Sequence, residues 1–342
     1  MRGFIRYFLG VLAVVAFVLT GSCVRRPLHD LECAHYVRVY LDEEIKNVTM
    51  GFYNGRRPDK EYKRPVALEI ALADVHTGEV VSKALLRNSG SDGRGNYIDG
   101  YVGAEAGIYD VVVYEVGSSV TLLRNEGSFS GIAAYTNTIN DRLMGYIPSL
   151  GWQMDTAKLV VQPDHLFHAV YEDLEIPAIM QVDTLRDANG EYFRAHTVVK
   201  SYYLQLSIVG ARWVSSAVAV LSGMGGSTLL GQHNGVVESD SVSLFFWAQH
   251  NEEYRQLYTT FNTFGKLENA KSVLELNFEF TKIDGSSQVE VMDITEVFNT
   301  PAVRDNQWIL IDKEIVITSP KNTGGMQPGV GGWKDFGSDL PM

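Results

Sequence analysis

Strict alternation of apolar and polar residues is the feature that most restricts how this chain can fold. The alternation recurs in four separate stretches, at 36–41 (YVRVYL), 66–72 (VALEIAL), 202–208 (YYLQLSI) and 274–280 (LELNFEF). A period of two is the signature of a half-buried β-strand. Turn signals rather than helical patterns separate the strands, which excludes a doubly wound α/β sheet. The predicted class is therefore all-β, with two tandem antiparallel β-sandwich domains.

Local signals add further elements to this prediction. Asn189-Gly190 predicts a β-hairpin because both residues tolerate positive φ, and Gly117-Ser118-Ser119 predicts a second hairpin leading into residues 120–123. Residues 88–100 are predicted to be a glycine-rich loop, and residues 222–227 a tight turn. Strands are also predicted at 48–53, 107–116, 243–248 and 308–317, and at 178–182 and 192–199 as the two flanks of the 189–190 hairpin. Short helices are predicted at 138–144 and 293–298.

The N-terminal stretch from Phe8 to Cys23 reads as a lipoprotein signal peptide. Two arginines precede an apolar run, Phe8 to Leu19, of twelve residues. A secretory core of about 7–15 apolar residues fits this length, whereas a membrane-spanning helix needs about 20. Small residues then precede Cys23, as in a bacterial lipobox, so we predict that Cys23 is acylated (palmitate) and becomes the mature N-terminus. A soluble secreted protein and a retained anchor helix are the alternatives.

Length and charge set the domain plan and remove one class of partner. A chain of 342 residues exceeds what one core usually serves. A formal charge of −12 repels phosphate backbones, so no nucleic-acid partner is expected. With Cys23 acylated, Cys33 has no second cysteine for a disulfide. The predicted divisions are a signal peptide (1–22), a lipidated tether (23–35), an N-terminal β-sandwich (36–162), a C-terminal β-sandwich (163–318) and a flexible Gly/Pro-rich tail (319–342).

Candidate chemistry is sparse along the chain. His165 and His168 have the H-x-x-H spacing of a metal site, but Pro163 and Pro177 bracket them, and we interpret this segment as a solvated connection between domains. Asp92, Asn96 and Asp99 could offer oxygens to calcium, yet they break the EF-hand order. No G-x-S-x-G motif is present. We therefore predict a non-enzymatic protein without a metal, a cofactor or a small-molecule substrate.

Three ordered stretches carry a resemblance to a known group of proteins. They are 107–114 (GIYDVVVY), 217–224 (AVAVLSGM), and the closing Asp293-Ile294-Thr295 with 308–312 (WILID). Together with the CVRRPL sequence at Cys23, they resemble Bacteroidales lipoproteins of the fimbrillin and fimbrial anchor (type V pilus) superfamily. The resemblance implies transthyretin-like sandwiches on an outer-membrane lipid anchor. It also implies a fimbrillin-like pilus subunit as partner, joined by β-strand addition.

The resulting functional prediction is an outer-membrane lipoprotein for cell adhesion that anchors a fimbrium or forms a minor pilus component. A surface lipoprotein that binds carbohydrate or a host ligand is the alternative, with Tyr97, Tyr101, Trp152 and Trp247 as the aromatic candidates. A metal-dependent hydrolase using His165 and His168 is the third hypothesis. The sequence leaves open whether the protein faces the periplasm or the cell surface.

Overall fold

The computed structural model describes residues 34–42, 64–151, 155–177, 184–233, 235–238, 240–267 and 273–320. Within these ranges the chain is mostly β-structure with a few short helices, so the predicted all-β class is confirmed. The predicted strand at 48–53, the first flank of the predicted 189–190 hairpin and the C-terminal tail beyond Pro320 lie outside the described residues.

The strands follow one another with few helical interruptions. The first nine are β1 (Ala34–Leu41), β2 (Ala67–Asp74), β3 (Val80–Leu86), β4 (Asn88–Asp92), β5 (Gly95–Gly103), β6 (Gly107–Val116), β7 (Thr121–Arg124), β8 (Ala133–Thr136) and β9 (Leu159–Val161). The remainder are β10 (Phe167–Ile176), β11 (Thr184–Leu185), β12 (Phe193–Thr197), β13 (Lys200–Val209), β14 (Val214–Gly225), β15 (Ser227–Leu229), β16 (Val236–Val237), β17 (Ser241–Asn251), β18 (Gln256–Thr263), β19 (Glu275–Lys282), β20 (Ser287–Asp293) and β21 (Trp308–Val316). The helices are α1 (Asp141–Met144), α2 (Thr295–Phe298) and α3 (Pro301–Asn306).

These strands form three sheets. The first has the order β3-β2-β6-β10-β12-β1-β5-β4, with β11 also paired to β1. The second has the order β20-β19-β14-β17-β18-β13-β21, with β9 paired to β17, and the third has the order β16-β15-β8-β7. Most pairings are antiparallel, as predicted, and the parallel ones are β1 with β11 and β12, β13 with β21, and β9 with β17.

The alternating stretches supply the two main cores. Val37, Val39 and Leu41 of β1 are buried with Leu68, Ile70 and Leu72 of β2 in the core of the first sheet. In the second sheet, alternate residues of β13 and β19 are buried together in one core. They are Leu204, Leu206 and Ile208 of β13 and Leu276, Phe278 and Phe280 of β19. Packing of one apolar face into these cores explains the period of two, although the other faces of β2, β13 and β19 are also buried, through Ala71, Gln205 and Glu279 respectively. The exception is Val66, which is 81% exposed just before β2.

The interpretation of residues 163–177 as a solvated connection is wrong. Residues 167–176 form β10, which lies between β6 and β12 in the interior of the first sheet. A bulge between Tyr171 and Leu174 places two acidic residues in the strand, and Asp173 has a φ of 53°. The bulge interrupts the alternation and hides the strand from sequence analysis. The division into two domains at 162/163 stays a prediction. Strand pairing crosses this position in both directions, because β9 before it pairs with β17 of the second sheet and β10 to β12 after it belong to the first sheet.

Among the described residues, neither predicted turn joins two strands that pair with each other. β11 and β12, on either side of the Asn189-Gly190 turn, do not pair with each other. Both run parallel to β1 and pair with successive parts of it. A hairpin has no room there, since β12 already lies between β10 and β1. In the same way β6 lies between β2 and β10, so β7 leaves the first sheet after Gly117 and pairs with β8 in the third sheet.

The two glycine-rich stretches also differ from prediction. Residues 88–100 belong to the hairpin of β4 and β5 rather than to a loop. In the 222–227 stretch, β14 continues through a bulge at Gly223, whose φ is 87°. A left-handed residue inside a strand suits a glycine bulge. The chain then bends at Gly226 into β15, which joins the third sheet.

The predicted short helices are present. Asn140 caps α1 by accepting the backbone N–H of Leu143 at 3.0 Å, and Asp293 accepts the N–H of Thr295 at 2.9 Å at the start of α2. The segment near α1 lies against the outer face of the second sheet. There the buried Glu279 accepts the N–H of Ser149 at 3.0 Å and of Leu150 at 3.0 Å. This carboxylate therefore fastens the 147–151 turn to the second sheet.

Candidate functional site

An exposed row of tyrosine, arginine and aspartate side chains lies on the outer face of the first sheet. Because Val37, Val39 and Leu41 point into the core, the alternate residues of β1 point outwards. Antiparallel pairing with β5 sets Tyr36 opposite Tyr101, Arg38 opposite Asp99 and Tyr40 opposite Tyr97. We call this the tyrosine–arginine face and define it by the following residues: Tyr36, Arg38, Tyr40, Asp42, Asp92, Arg94, Tyr97, Asp99, Tyr101, Arg186, Tyr192 and Arg194.

Arg38 organises the centre of the tyrosine–arginine face. One guanidinium nitrogen, Nη1, lies 3.3 Å from Asp92 Oδ2, and the other, Nη2, lies 3.5 Å from Asp99 Oδ2. Nη2 also donates to the Tyr36 hydroxyl at 3.0 Å. The hydroxyl of Tyr36 donates to Asp99, and that of Tyr40 donates to Asp92 Oδ2 at 2.7 Å. The terminal guanidinium nitrogens, the two carboxylates and the two hydroxyls thus hold one another in place, whereas Arg38 Nε is buried without a hydrogen-bond partner among the described residues.

The pKa shifts in this network have local causes. Burial raises the pKa of Tyr36, and its hydrogen bond to Asp99 raises it further. The hydrogen bond from Tyr40 lowers the pKa of Asp92, as does the backbone N–H of Arg94. At neutral pH the tyrosines therefore stay protonated and donate, while Asp92 stays ionised and accepts.

The rings of the tyrosine–arginine face pack edge to face and carry guanidinium groups. Tyr36 contacts Tyr101 with ring centroids 5.4 Å apart, and Tyr40 contacts Tyr97 at 5.7 Å. The Arg38 guanidinium carbon lies 4.0 Å from the Tyr97 ring centroid, which is within cation–π range. Arg94 and Arg186 also lie over the Tyr192 ring, at 4.8 and 4.1 Å from its centroid, and Tyr192 packs edge to face against Tyr40 at 5.3 Å.

Exposure differs along the face. Tyr101 is 61% exposed at one end, whereas Tyr40 is buried by its neighbours. Arg38 and Asp92 are partly exposed, with side chains 24% and 35% accessible, whereas Asp99 is buried. The arrangement therefore places ordered donors and acceptors next to a projecting aromatic ring.

The aromatic candidates for ligand binding do not come together. Tyr97 and Tyr101 lie on the tyrosine–arginine face, but Trp247 belongs to the second sheet, where its ring packs 4.6 Å from that of Tyr146. Trp152 lies outside the described residues. Sequence analysis missed Tyr36, Arg38 and Tyr40, although they occupy the polar positions of the clearest alternating stretch.

The oxygens considered for calcium are used differently. Asp92 and Asp99 accept hydrogen bonds from tyrosines and face Arg38, whose positive charge opposes a cation there. Across the described ranges, no group of three or more His, Cys, Asp or Glu side chains is placed to hold a metal ion.

His168 lies in the interior rather than in a solvated segment. Its side chain is fully buried on β10, and its Nε2 lies 2.6 Å from the carbonyl oxygen of Leu230. Burial lowers the pKa of His168 to about 4. The ring packs against that of His196 with centroids 5.6 Å apart, while Asp173 binds Asp110 through its backbone N–H. His165 precedes β10 and is only partly buried, so the two histidines do not share one helical face as the H-x-x-H spacing of a metal site requires.

The second sheet ends in β20 and β21. Gln288 of β20 donates from Nε2 to the carbonyl of Val316 at 2.8 Å and accepts the N–H of Thr318 at 3.2 Å, so one end of the two strands is tied together. At the other end α2 and α3 connect them. Each strand has one strand neighbour among the described residues, and Val291 and Leu310 are about half exposed. Backbone groups on such edges can pair with another chain.

The predicted lipidation site, Cys23, lies outside the described residues, as does Cys33. In the part of the chain that is described, no helix has both the length and the apolar character needed to cross a bilayer.

The fold and these surfaces define a class of all-β proteins with stacked sheets and exposed sheet edges. Residues 91–247 match the family model of a domain of unknown function, DUF5119. The chain also resembles "Putative fimbrium anchoring subunit Fim4B" from Bacteroides ovatus, with 25% identity over 278 residues, covering 71% of this chain and 79% of that protein. The resemblance to fimbrial anchor proteins predicted from the sequence is confirmed.

One solved structure supports the same fold, and a second aligns with a lower TM-score. A "putative adhesin" from Bacteroides ovatus aligns with a TM-score of 0.58 and 20% identity, covering 88% of this chain and 98% of that one. The fimbrial anchor protein Mfa2 from Porphyromonas gingivalis aligns over 83% of this chain and 91% of its own, with 12% identity and a TM-score of 0.46. The relatives are thus fimbrial anchor or adhesin-like proteins.

Proposed function

We propose that this protein is an outer-membrane lipoprotein that anchors a fimbrium or forms a minor component of a pilus, without a catalytic role. The observation that carries the proposal is the similarity to the fimbrium anchoring subunit of Bacteroides ovatus, which extends over 278 residues. The N-terminal lipobox-like sequence supports attachment through acyl chains on Cys23. Several buried chains anchor a protein stably, because each buried methylene contributes about 0.8 kcal/mol.

The proposed mode of partner binding is β-strand addition. In this mode the main chain of one subunit completes the sheet of another, so it depends on an open strand edge rather than on reactive side chains. The edges of the second sheet support this proposal, since β20 and β21 each have one strand neighbour among the described residues. A fimbrillin-like subunit is the expected partner.

Membrane attachment is tested by the substitution Cys23→Ala in the full chain. We expect the variant to leave the membrane fraction, because acylation needs the thiol, while Cys33→Ala stays membrane-bound as the matched control. Fractionation and immunoblotting of the producing cells measure both. A Cys23→Ala protein that stays with the membrane contradicts the lipid anchor.

Partner binding is tested by affinity purification of the wild-type protein from its own cells under conditions that preserve pili. We expect a fimbrillin-like subunit to co-purify and to be identified by mass spectrometry. Recovery of the protein alone under these conditions contradicts the anchor function, whatever the Cys23 result.

A further inference from the structure

We propose that the tyrosine–arginine face binds a neutral polysaccharide. This function is separate from pilus anchoring and uses a different sheet from the strand edges at β20 and β21. Three properties of the face lead to this ligand class: a projecting aromatic ring, ordered hydrogen-bonding groups beside it, and a formal charge close to zero.

The aromatic property comes from Tyr101. Its ring is 61% exposed and is supported from one side by Tyr36, with centroids 5.4 Å apart. A tyrosine ring offers an apolar body with a polar tip. The C–H face of a pyranose ring can pack against such a body while its hydroxyl groups remain within reach of polar neighbours. Support from Tyr36 holds the ring in place before a ligand arrives, which reduces the entropic cost of binding.

The polar property comes from the network around Arg38. Sugar hydroxyls donate and accept at the same time, so they need both kinds of partner close together. Arg38 supplies donors and Asp92 supplies acceptors, and both side chains are partly exposed, while the buried Asp99 holds the Arg38 guanidinium from behind. Their mutual hydrogen bonds fix their orientation, so the groups are ordered in advance.

The charge property distinguishes the ligand class from other partners. The face carries four arginines and three aspartates, which gives a formal charge of 4 − 3 = +1 on a chain whose total is −12. A polyanion would require an excess of cations, and an apolar peptide or lipid would require exposed aliphatic side chains. The residues that define the face include no aliphatic side chain. An uncharged polyhydroxylated polymer fits this combination of groups best.

The test is affinity electrophoresis of the full-length protein, extracted in detergent, through native gels that contain one polysaccharide each. The neutral probes are barley β-glucan, galactomannan, arabinoxylan and dextran, and alginate is the anionic comparison. We expect at least one neutral polymer to slow the protein. We expect Tyr101→Ala to lower that affinity about tenfold, equal to about 1.4 kcal/mol. Tyr254→Ala, which removes a tyrosine 38% exposed before β18, is the matched control and should migrate like the wild type.

Several results would overturn the proposal. They are a lack of retardation by every neutral polymer, retardation by alginate alone, or unchanged retardation of Tyr101→Ala. Capture of the pilus subunit by Tyr101→Ala should equal that of the wild type. If Tyr101→Ala instead loses that subunit, the face is a protein interface and the polysaccharide proposal fails, while pilus anchoring stands.

Discussion

The outer face of the first sheet has two halves that differ in what lies on top of them. Over β2, β6 and β10 the third sheet and Leu230 form a second layer, and the buried residues there include Ala71, Val112 and Val170. Over β1, β5 and β4 lies the tyrosine–arginine face, which remains partly exposed. The same sheet thus supports an interior on one half and a surface on the other.

The sequences of the strands in the two halves reflect this difference in coverage. β6 contains the run Val111 to Val113, in which neighbouring residues serve opposite faces and all are buried. β1 instead alternates apolar residues with tyrosine and arginine. A continuous apolar run therefore indicates a strand covered on both faces. Alternation does not by itself indicate an open face, because Gln205 of β13 and Glu279 of β19 occupy polar positions and are buried. The open half is identified by exposure instead, since Arg38 and Tyr101 are accessible to solvent.

The largest test of this comparison places one negative charge on each half. Val112→Asp puts a carboxylate under the third sheet, where Val112 is fully buried. We expect a loss of about 4 kcal/mol or more in the free energy of unfolding, because an unpaired charge cannot be solvated there. Tyr101→Asp on the open half should change stability by less than about 1 kcal/mol. Urea denaturation followed by circular dichroism measures both, and equal losses would mean that the two halves are equally covered.

A second test uses pH, since the covered half contains His168. Burial lowers its folded pKa to about 4 from an ordinary value of 6.5, so between these values the unfolded chain binds a proton that the folded chain does not. Stability should therefore fall as pH drops from 6.5 towards 4, by about 3 kcal/mol for this group. His196 and His233 lie nearby and oppose its protonation.

The matched variant for the pH test is His168→Gln, whose amide can still donate to the carbonyl of Leu230 but does not titrate. The difference in unfolding free energy between wild type and variant should change over this pH range. Taking this difference cancels the contributions of other titrating groups, such as His250, that the two proteins share. Denaturation curves at several pH values measure it. A constant difference would contradict a buried neutral His168.

Much of the fold follows from sequence periodicity, and the failures have a common cause. Strands β1, β2, β13 and β19 were predictable because one buried face imposes a period of two. Strand β10 was missed because its bulge inserts acidic residues. The position of this bulge depends on the pairing of β10 with β6 and not on local propensity. The third sheet joins β8 to β15 across about ninety residues, and such long-range pairing has no local signal.

The candidate site was partly predictable for the same reason. Tyr97 and Tyr101 stood out as aromatics in a glycine-rich stretch, but their partners Tyr36 and Arg38 read only as the polar side of a strand. Joining the two sets requires the register of β1 against β5, which sets Arg38 opposite Asp99. The alternation of β1 fixes which side chains face outwards, whereas the pairing that assembles the network depends on the whole sheet.

The smallest expected effect concerns the open half itself and separates an ordered network from a collection of surface charges. Arg38→Lys keeps the positive charge but cannot reach Asp92 and Asp99 in the planar geometry of a guanidinium. We expect a loss of about 1–2 kcal/mol in the free energy of unfolding, because the network is partly buried. Arg87→Lys, an exposed position near the same sheet edge, should stay within about 0.5 kcal/mol of the wild type. If both variants unfold at the same urea concentration as the wild type, solvent screens the Arg38 pairs as it does ordinary surface pairs, and the open half is not ordered in advance for a ligand.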